Sequence, residues 1–162
     1  MLLKRKHILP SGASPAPGKA ATVDERSRLD LCNCSALRRA ARRITQFYDA
    51  KLAPTGVRIT QYAMLSLLAR REELAVNELA GLMELDRTTT GKNLRPLARA
   101  GLVKIVPSAT DGRSRKVRLT AKGISAQRAA APLWRDAQRE FEAANGREAA
   151  RTMRTMLAEL KA

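Results

Sequence analysis

From Leu31 onward, apolar residues return every three or four positions: Leu31, Cys34, Leu37, Ala41, Ile44, Tyr48 and Leu52. That spacing lines one face of a helix, which Pro54 and Gly56 bring to an end. Thr60 is placed to cap a second helix from Gln61 to about Arg70, with Tyr62, Leu65 and Leu68 inward. A third, short helix is predicted over Val76–Glu84, with Leu79 and Leu82 inward. Asp86 is a good N-cap for a fourth helix, running to about Ala100 and closed by Gly101. Two β-type runs follow, Leu102–Val106 and Lys116–Leu119, and Asp111-Gly112 between them signals a hairpin. Thr120 then caps a long helix to about Ala144, with Leu119 set to pack on Ile124 and Pro132 expected to kink it. Asn145-Gly146 makes a turn before a last helix bearing Met153, Met156, Leu157 and Leu160 on one side.

The fold class is therefore mainly α with a small β-hairpin wing. Residues 1–28 differ from the rest: Pro10, Gly12, Pro15, Pro17 and Gly18 stand among small and charged residues. Such a stretch buries little and is expected to be a flexible basic tail, leaving 29–162 as a single domain. A length of 162 residues suits one domain per subunit.

Charge then narrows the function. The chain has 31 Lys and Arg against 15 Asp and Glu, a formal charge of +16. An excess of that size favours an anionic partner. No apolar run approaches the roughly 18–20 residues that span a bilayer, and no secretory signal is visible at the N-terminus. With two cysteines, a reducing cytoplasm is the expected setting, with no disulfide scaffold. His7 is the sole histidine, so a His-based hydrolase has no material. Neither a glycine-rich phosphate loop nor a distinctive carboxylate pair appears. No enzyme, metal site or cofactor is expected.

The fourth helix carries the chemistry. Its outward face offers Arg87, Thr88, Thr89, Lys92 and Arg95, while Leu79, Leu82, Leu85, Leu94 and Leu97 are expected to hold it to the third helix. Short hydroxyl side chains and cations near a helix N-terminus suit entry into the major groove. Gly91 removes a side chain from the same face. Residues 86–118 hold nine cations and two anions, which argues against an ordinary solvated helical hairpin. The expected partner is double-stranded DNA, with no role at a membrane. A protein that packages nucleic acid by charge alone is the alternative.

The stretch VNELAGLMELDRTTTGKNLRPLARAGLV, the wing SATDGRSRKVRLT and the following TAKG resemble the MarR family of dimeric winged-helix regulators of bacteria. The resemblance covers about 31–162. It implies a winged helix-turn-helix over about 58–119, with dimerisation helices at about 31–53 and 120–161 that interlock with those of a second subunit. It also implies a cytoplasmic, nucleoid-associated regulator acting on a palindromic operator, expected to be a repressor. In that family the wing carries Asp-x-Arg, met here by Asp111 and Arg113, with the arginine expected in the minor groove and the aspartate shaping the wing. Arg115 is a second wing contact, and Thr88, Thr89 and Lys92 match base-reading positions. Two departures stand out: Ala75 replaces a usual Ser or Thr cap, and Pro96 lies inside the recognition helix.

The resemblance further implies a signal. In the organic-hydroperoxide-sensing branch a reactive cysteine near the start of the first helix is served by tyrosines. Cys34 matches the cysteine and Tyr48 one tyrosine, while Arg38 takes the place of the other and favours a thiolate by charge. If both cysteines lie in one continuous helix, Cys32 faces away from Cys34 and a bond between them requires unwinding. A small core residue is the plain alternative for Cys34. The other family-wide signal is a small-molecule effector, an aromatic acid or phenol, with Arg38, Arg42, Tyr48, Tyr62 and Trp134 as possible lining.

Overall fold

A computed structural model describes residues 31–108 and 114–161. The chain divides into two units, 1–42 and 43–162. Helix α1 is Asn33–Leu52, and its opening turns are the described part of the first unit. There Leu31, Cys34 and Leu37 are exposed, whereas Tyr48 and Leu52 in the second unit are buried. Among the described residues of the α1 stripe, the buried ones thus belong to the second unit.

The second unit continues with a 3-10 turn at Ala53–Thr55, α2 (Ile59–Arg70), β1 (Leu74–Ala75) and α3 (Val76–Leu82). Then come α4 (Arg87–Arg99), β2 (Val103–Pro107), β3 (Arg115–Leu119), α5 (Ala121–Asn145) and α6 (Arg147–Ala158). The sheet order is β1-β3-β2, all antiparallel, with Leu74 opposite Val117 and Ile105 opposite Val117 on the other side. One core gathers Leu52, Met64, Leu65, Leu79, Leu94, Leu97 and Val117, all at most 1% exposed. This is the winged helix-turn-helix arrangement expected from the sequence.

Local chemistry explains most boundaries. Asp86 caps α4, its Oδ1 accepting the Thr89 backbone N–H at 2.8 Å. Thr120 caps α5, its Oγ1 accepting the Gly123 N–H at 3.0 Å. Gly101, at φ +70°, lets the chain leave α4. Ala75 provides no side-chain cap for α3, as its methyl group requires.

Several expectations are corrected. Helix α2 begins at Ile59, not Gln61, and its cap is not Thr60. The Ile59 N–H donates to Asp49 Oδ1 at 2.7 Å, across ten residues, and the Arg58 N–H to Gln61 Oε1 at 3.0 Å. Helix α3 stops at Leu82 because Glu84 takes a left-handed φ of +51°. Leu82 is 46% exposed and not inward. The inward stripe is Val76, Leu79, Ala80 and Met83, from which Leu82 stands about a third of a turn away. The strands begin one residue from their expected starts, and β1 was not expected at all. Ile124 is 40% exposed and lines a surface hollow together with Leu119. Helices α4 and α5 run unbroken through Pro96 and Pro132.

Gly123 has a specific steric reason. A Cβ there would sit 1.9 Å from the Leu102 carbonyl oxygen. The same carbonyl accepts the Thr120 N–H at 3.1 Å, and Thr120 Oγ1 donates to the Gly101 carbonyl at 2.6 Å. The start of α5 is thereby clasped against the end of the recognition helix.

Candidate nucleic-acid interface

Helix α4 presents two kinds of surface. Thr90, Leu94 and Leu97 face the core and are buried. Thr88, Lys92, Arg95 and Arg99 point the opposite way and are exposed. On the flank toward the wing, Arg87, Gly91, Leu94 and Arg95 join Val76, Asn77, Ile105, Ser114 and Arg115 around a concavity of about 780 Å³. Three guanidinium groups from two separate elements thus line one hollow. A Cβ at Gly91 would meet nothing within 4 Å, so the protein's own packing does not demand glycine there.

The hollow owes its shape to the clasped hairpin and to the short β1 strand. Register pairing runs from Val103–Leu119 to Pro107–Arg115, and the Ser108 N–H donates to the Ser114 carbonyl at 2.9 Å. Arg115, at the hairpin's outer end, is exposed; Lys116 is tied to Glu73. The wing-tip residues Asp111 and Arg113 lie outside the described residues, as does the tail over 1–28.

Thr89 is placed differently from its neighbours. It is half-buried, and its hydroxyl donates to Asp86 Oδ2 at 2.6 Å. These hydrogen bonds, the Thr89 hydroxyl first and its backbone N–H second, hold the Asp86 carboxyl below its ordinary range. One turn on, Asn93 Nδ2 donates to the Thr89 carbonyl at 3.0 Å. Asn93 was not among the residues singled out from sequence. Its signal was available: an amide one turn after Thr89 on the same side of the helix.

The residues expected to sense a signal fall into both units. Cys34 and Arg38 are exposed on α1. Cys32 precedes the helix, so the premise of two cysteines in one continuous helix does not hold. The Cys32 carbonyl accepts the Ala36 N–H at 2.9 Å, the position of an N-cap. Hydrogen bonds from the Ser35 backbone and side chain lower the Cys32 thiol below its ordinary range, with a smaller contribution from the Arg39 charge. Tyr48 is buried, and its hydroxyl donates to Gln138 Oε1 at 2.6 Å. Burial raises its phenol, as does the nearby Glu142 charge. Tyr62 and Trp134 pack together in the core, ring centroids 5.9 Å apart. Arg42 is exposed on α1. Among the described residues no cluster of three metal-ligating side chains occurs, and no helix is long and apolar enough to cross a membrane.

Comparison with known proteins agrees with this geometry. A family model described as "MarR family" matches residues 55–114. The chain is similar to the M. tuberculosis transcriptional regulator MosR solved in complex with DNA, at 36% identity, covering 80% of this chain and 99% of that one, with TM-score 0.66. It is similar to a probable transcriptional regulator from Pseudomonas aeruginosa, at 26% identity over 82% and 99% of the chains, TM-score 0.73. The transcriptional repressor CouR, bound to a 23-mer DNA duplex, matches at 26% identity over 80% and 92%, TM-score 0.71. No curated protein sequence matches the chain.

Proposed function

Since the chain belongs to the MarR family of DNA-binding transcriptional regulators, we propose that it is a homodimeric repressor acting on a palindromic operator. The observation that carries this reading is the hollow where Arg87 and Arg95 of the recognition helix meet Arg115 of the wing. A duplex seated there places the N-terminal turns of α4 in the major groove, with the phosphates beside the arginines. Thr88 and Lys92 face the bases, and Arg113, at the wing tip, takes the adjacent minor groove. The exposed apolar residues of α6 and the uncovered first half of the α1 stripe support a second copy as the partner. Two subunits set the recognition helices about one DNA turn apart.

Footprinting on the DNA flanking the protein's own gene tests the proposal. A protected palindrome with two half-sites is the expected result. Uniform coating without sequence preference would instead establish a packaging protein.

Release of the operator is the finer part of the proposal, through an oxidant or a small aromatic acid. The exposed Cys32 thiol, hydrogen-bonded by Ser35, supports the oxidant and joins Cys34 as a candidate for the reactive residue. Footprints repeated with organic hydroperoxide should vanish for the wild type and persist for the variant, Cys32→Ser or Cys34→Ser, that removes the reactive thiol. If the wild-type footprint survives peroxide, the small-molecule signal takes its place.

A further inference from the structure

The recognition helix is chemically lopsided. Its wing-side flank carries Arg87 and Arg95, which only donate hydrogen bonds. Its other flank carries Thr89 and Asn93, both half-buried and one turn apart. Resting on the reading of this chain as a sequence-specific regulator, we infer that Thr89 and Asn93 read the exocyclic amino group of an operator base, adenine N6 or cytosine N4.

The direction of each proton follows from the partner atom. Thr89 Oγ1 lies 2.6 Å from Asp86 Oδ2, and a carboxylate can only accept. The hydroxyl's single proton is therefore committed inward, and what faces outward is lone pairs. The Asp86 group is held below the ordinary carboxylate range, so it stays ionised at neutral pH. Asn93 stands 3.0 Å from the Thr89 main-chain carbonyl, which also only accepts. Its NH2 end is thereby turned to the helix backbone, and Oδ1 is left as an outward acceptor with one spare N–H beside it. In the major groove, guanine offers O6 and N7 and thymine offers O4, all acceptors, which lone pairs repel. Adenine and cytosine offer an amino donor. Adenine also suits the Oδ1 and spare N–H of Asn93 as a two-point contact. The arginine flank, set beside the phosphates, only donates. The helix thus sets an amino-reading flank against a phosphate-facing one.

The test uses the full-length protein and an operator obtained by selection from random duplexes. Each adenine is replaced singly by purine, which lacks the N6 amino group, and each cytosine by 2-pyrimidinone, which lacks N4. At one position or more in each half-site, the loss should weaken wild-type binding roughly three- to tenfold, the worth of one hydrogen bond. Thr89→Val or Asn93→Ala should bind more weakly but lose that sensitivity. Asn93→Ala places a strong helix former in the helix, so folding is retained. Asp86→Asn frees the Thr89 proton and should relax discrimination against guanine and thymine at the same position. Tolerance of every amino deletion by the wild type, or equal sensitivity in both variants, overturns the inference while leaving the regulator standing. Absence of any enriched sequence overturns the regulator reading itself.

Discussion

Glycine at position 91 costs the recognition helix about 1 kcal/mol relative to alanine, and no neighbouring atom within 4 Å requires it. We read the glycine as room for DNA to approach the helix backbone closely. Gly91→Ala should therefore raise thermal stability while weakening DNA binding, two effects of opposite sign. Differential scanning calorimetry and a fluorescence-anisotropy titration check both; unchanged affinity rules out backbone approach at this residue. Asp86 makes a second prediction. Its folded pKa is depressed, so its capping contribution is complete above the ordinary aspartate value of 3.8 and fades only as pH falls through the lower folded value. The Thr89 amide resonance, followed by NMR, should titrate below 3.8, and Asp86→Ala should lower the melting temperature at neutral pH. Both effects belong to one carboxylate holding the first turn of one helix.

Among elements, the junction of α4, the wing and α5 is the most constrained. The Leu102 carbonyl receives the Thr120 N–H and lies where any side chain at 123 would intrude. A backbone carbonyl cannot swing aside as a flexible side chain does. Gly123→Ala should destabilise the fold by about 1–3 kcal/mol, measured by denaturant unfolding. A change below 0.5 kcal/mol, on the order of a neutral surface substitution, is the contrary result. The clasp also sets where the wing stands relative to the recognition helix, and therefore the width of the hollow that Arg87, Arg95 and Arg115 line. The wing itself comes from a hairpin signal that is local and legible. Its third strand is not: Leu74 and Ala75 are two residues, too few to show alternation, and become a strand only because β3 lies beside them.

At the scale of the whole molecule, net charge and uncovered apolar faces dominate. Met156 is 66% exposed, and Leu157 and Leu160 lie open on and beyond α6. Truncation after Gly146 should abolish the proposed dimer, giving monomers or aggregates by analytical ultracentrifugation; a soluble dimer of normal stoichiometry contradicts that proposal. The loss includes the Arg154–Glu142 pair and the buried Ala150 contact. Binding should also weaken steeply with salt, since each neutralised phosphate releases condensed counterions. Arg115→Ala, at one phosphate-facing cation per subunit, should flatten the log–log salt dependence by roughly 2 for a dimer. A slope that does not move places Arg115 away from the phosphates.

Much of this architecture was decided within three or four residues along the chain. The caps at Asp86 and Thr120, the apolar spacing of α2 and α4, and the β-type runs of the wing act locally, so one sequence displays them. The family motifs lie in the same stretches, which is why the residues proposed to face DNA could be named from the sequence. What the tertiary structure decided is of another kind. Asp49 caps a helix ten residues away, Leu82 turns outward because Met83 occupies the core, and Cys32 leaves the helix that Cys34 occupies. Most consequential for function, the Thr89 proton is committed to Asp86, which turns an apparent donor into an acceptor. Periodicity records which face of a helix is apolar. It carries no information on where a proton points or which distant carbonyl lies above a glycine, because those depend on packing between elements.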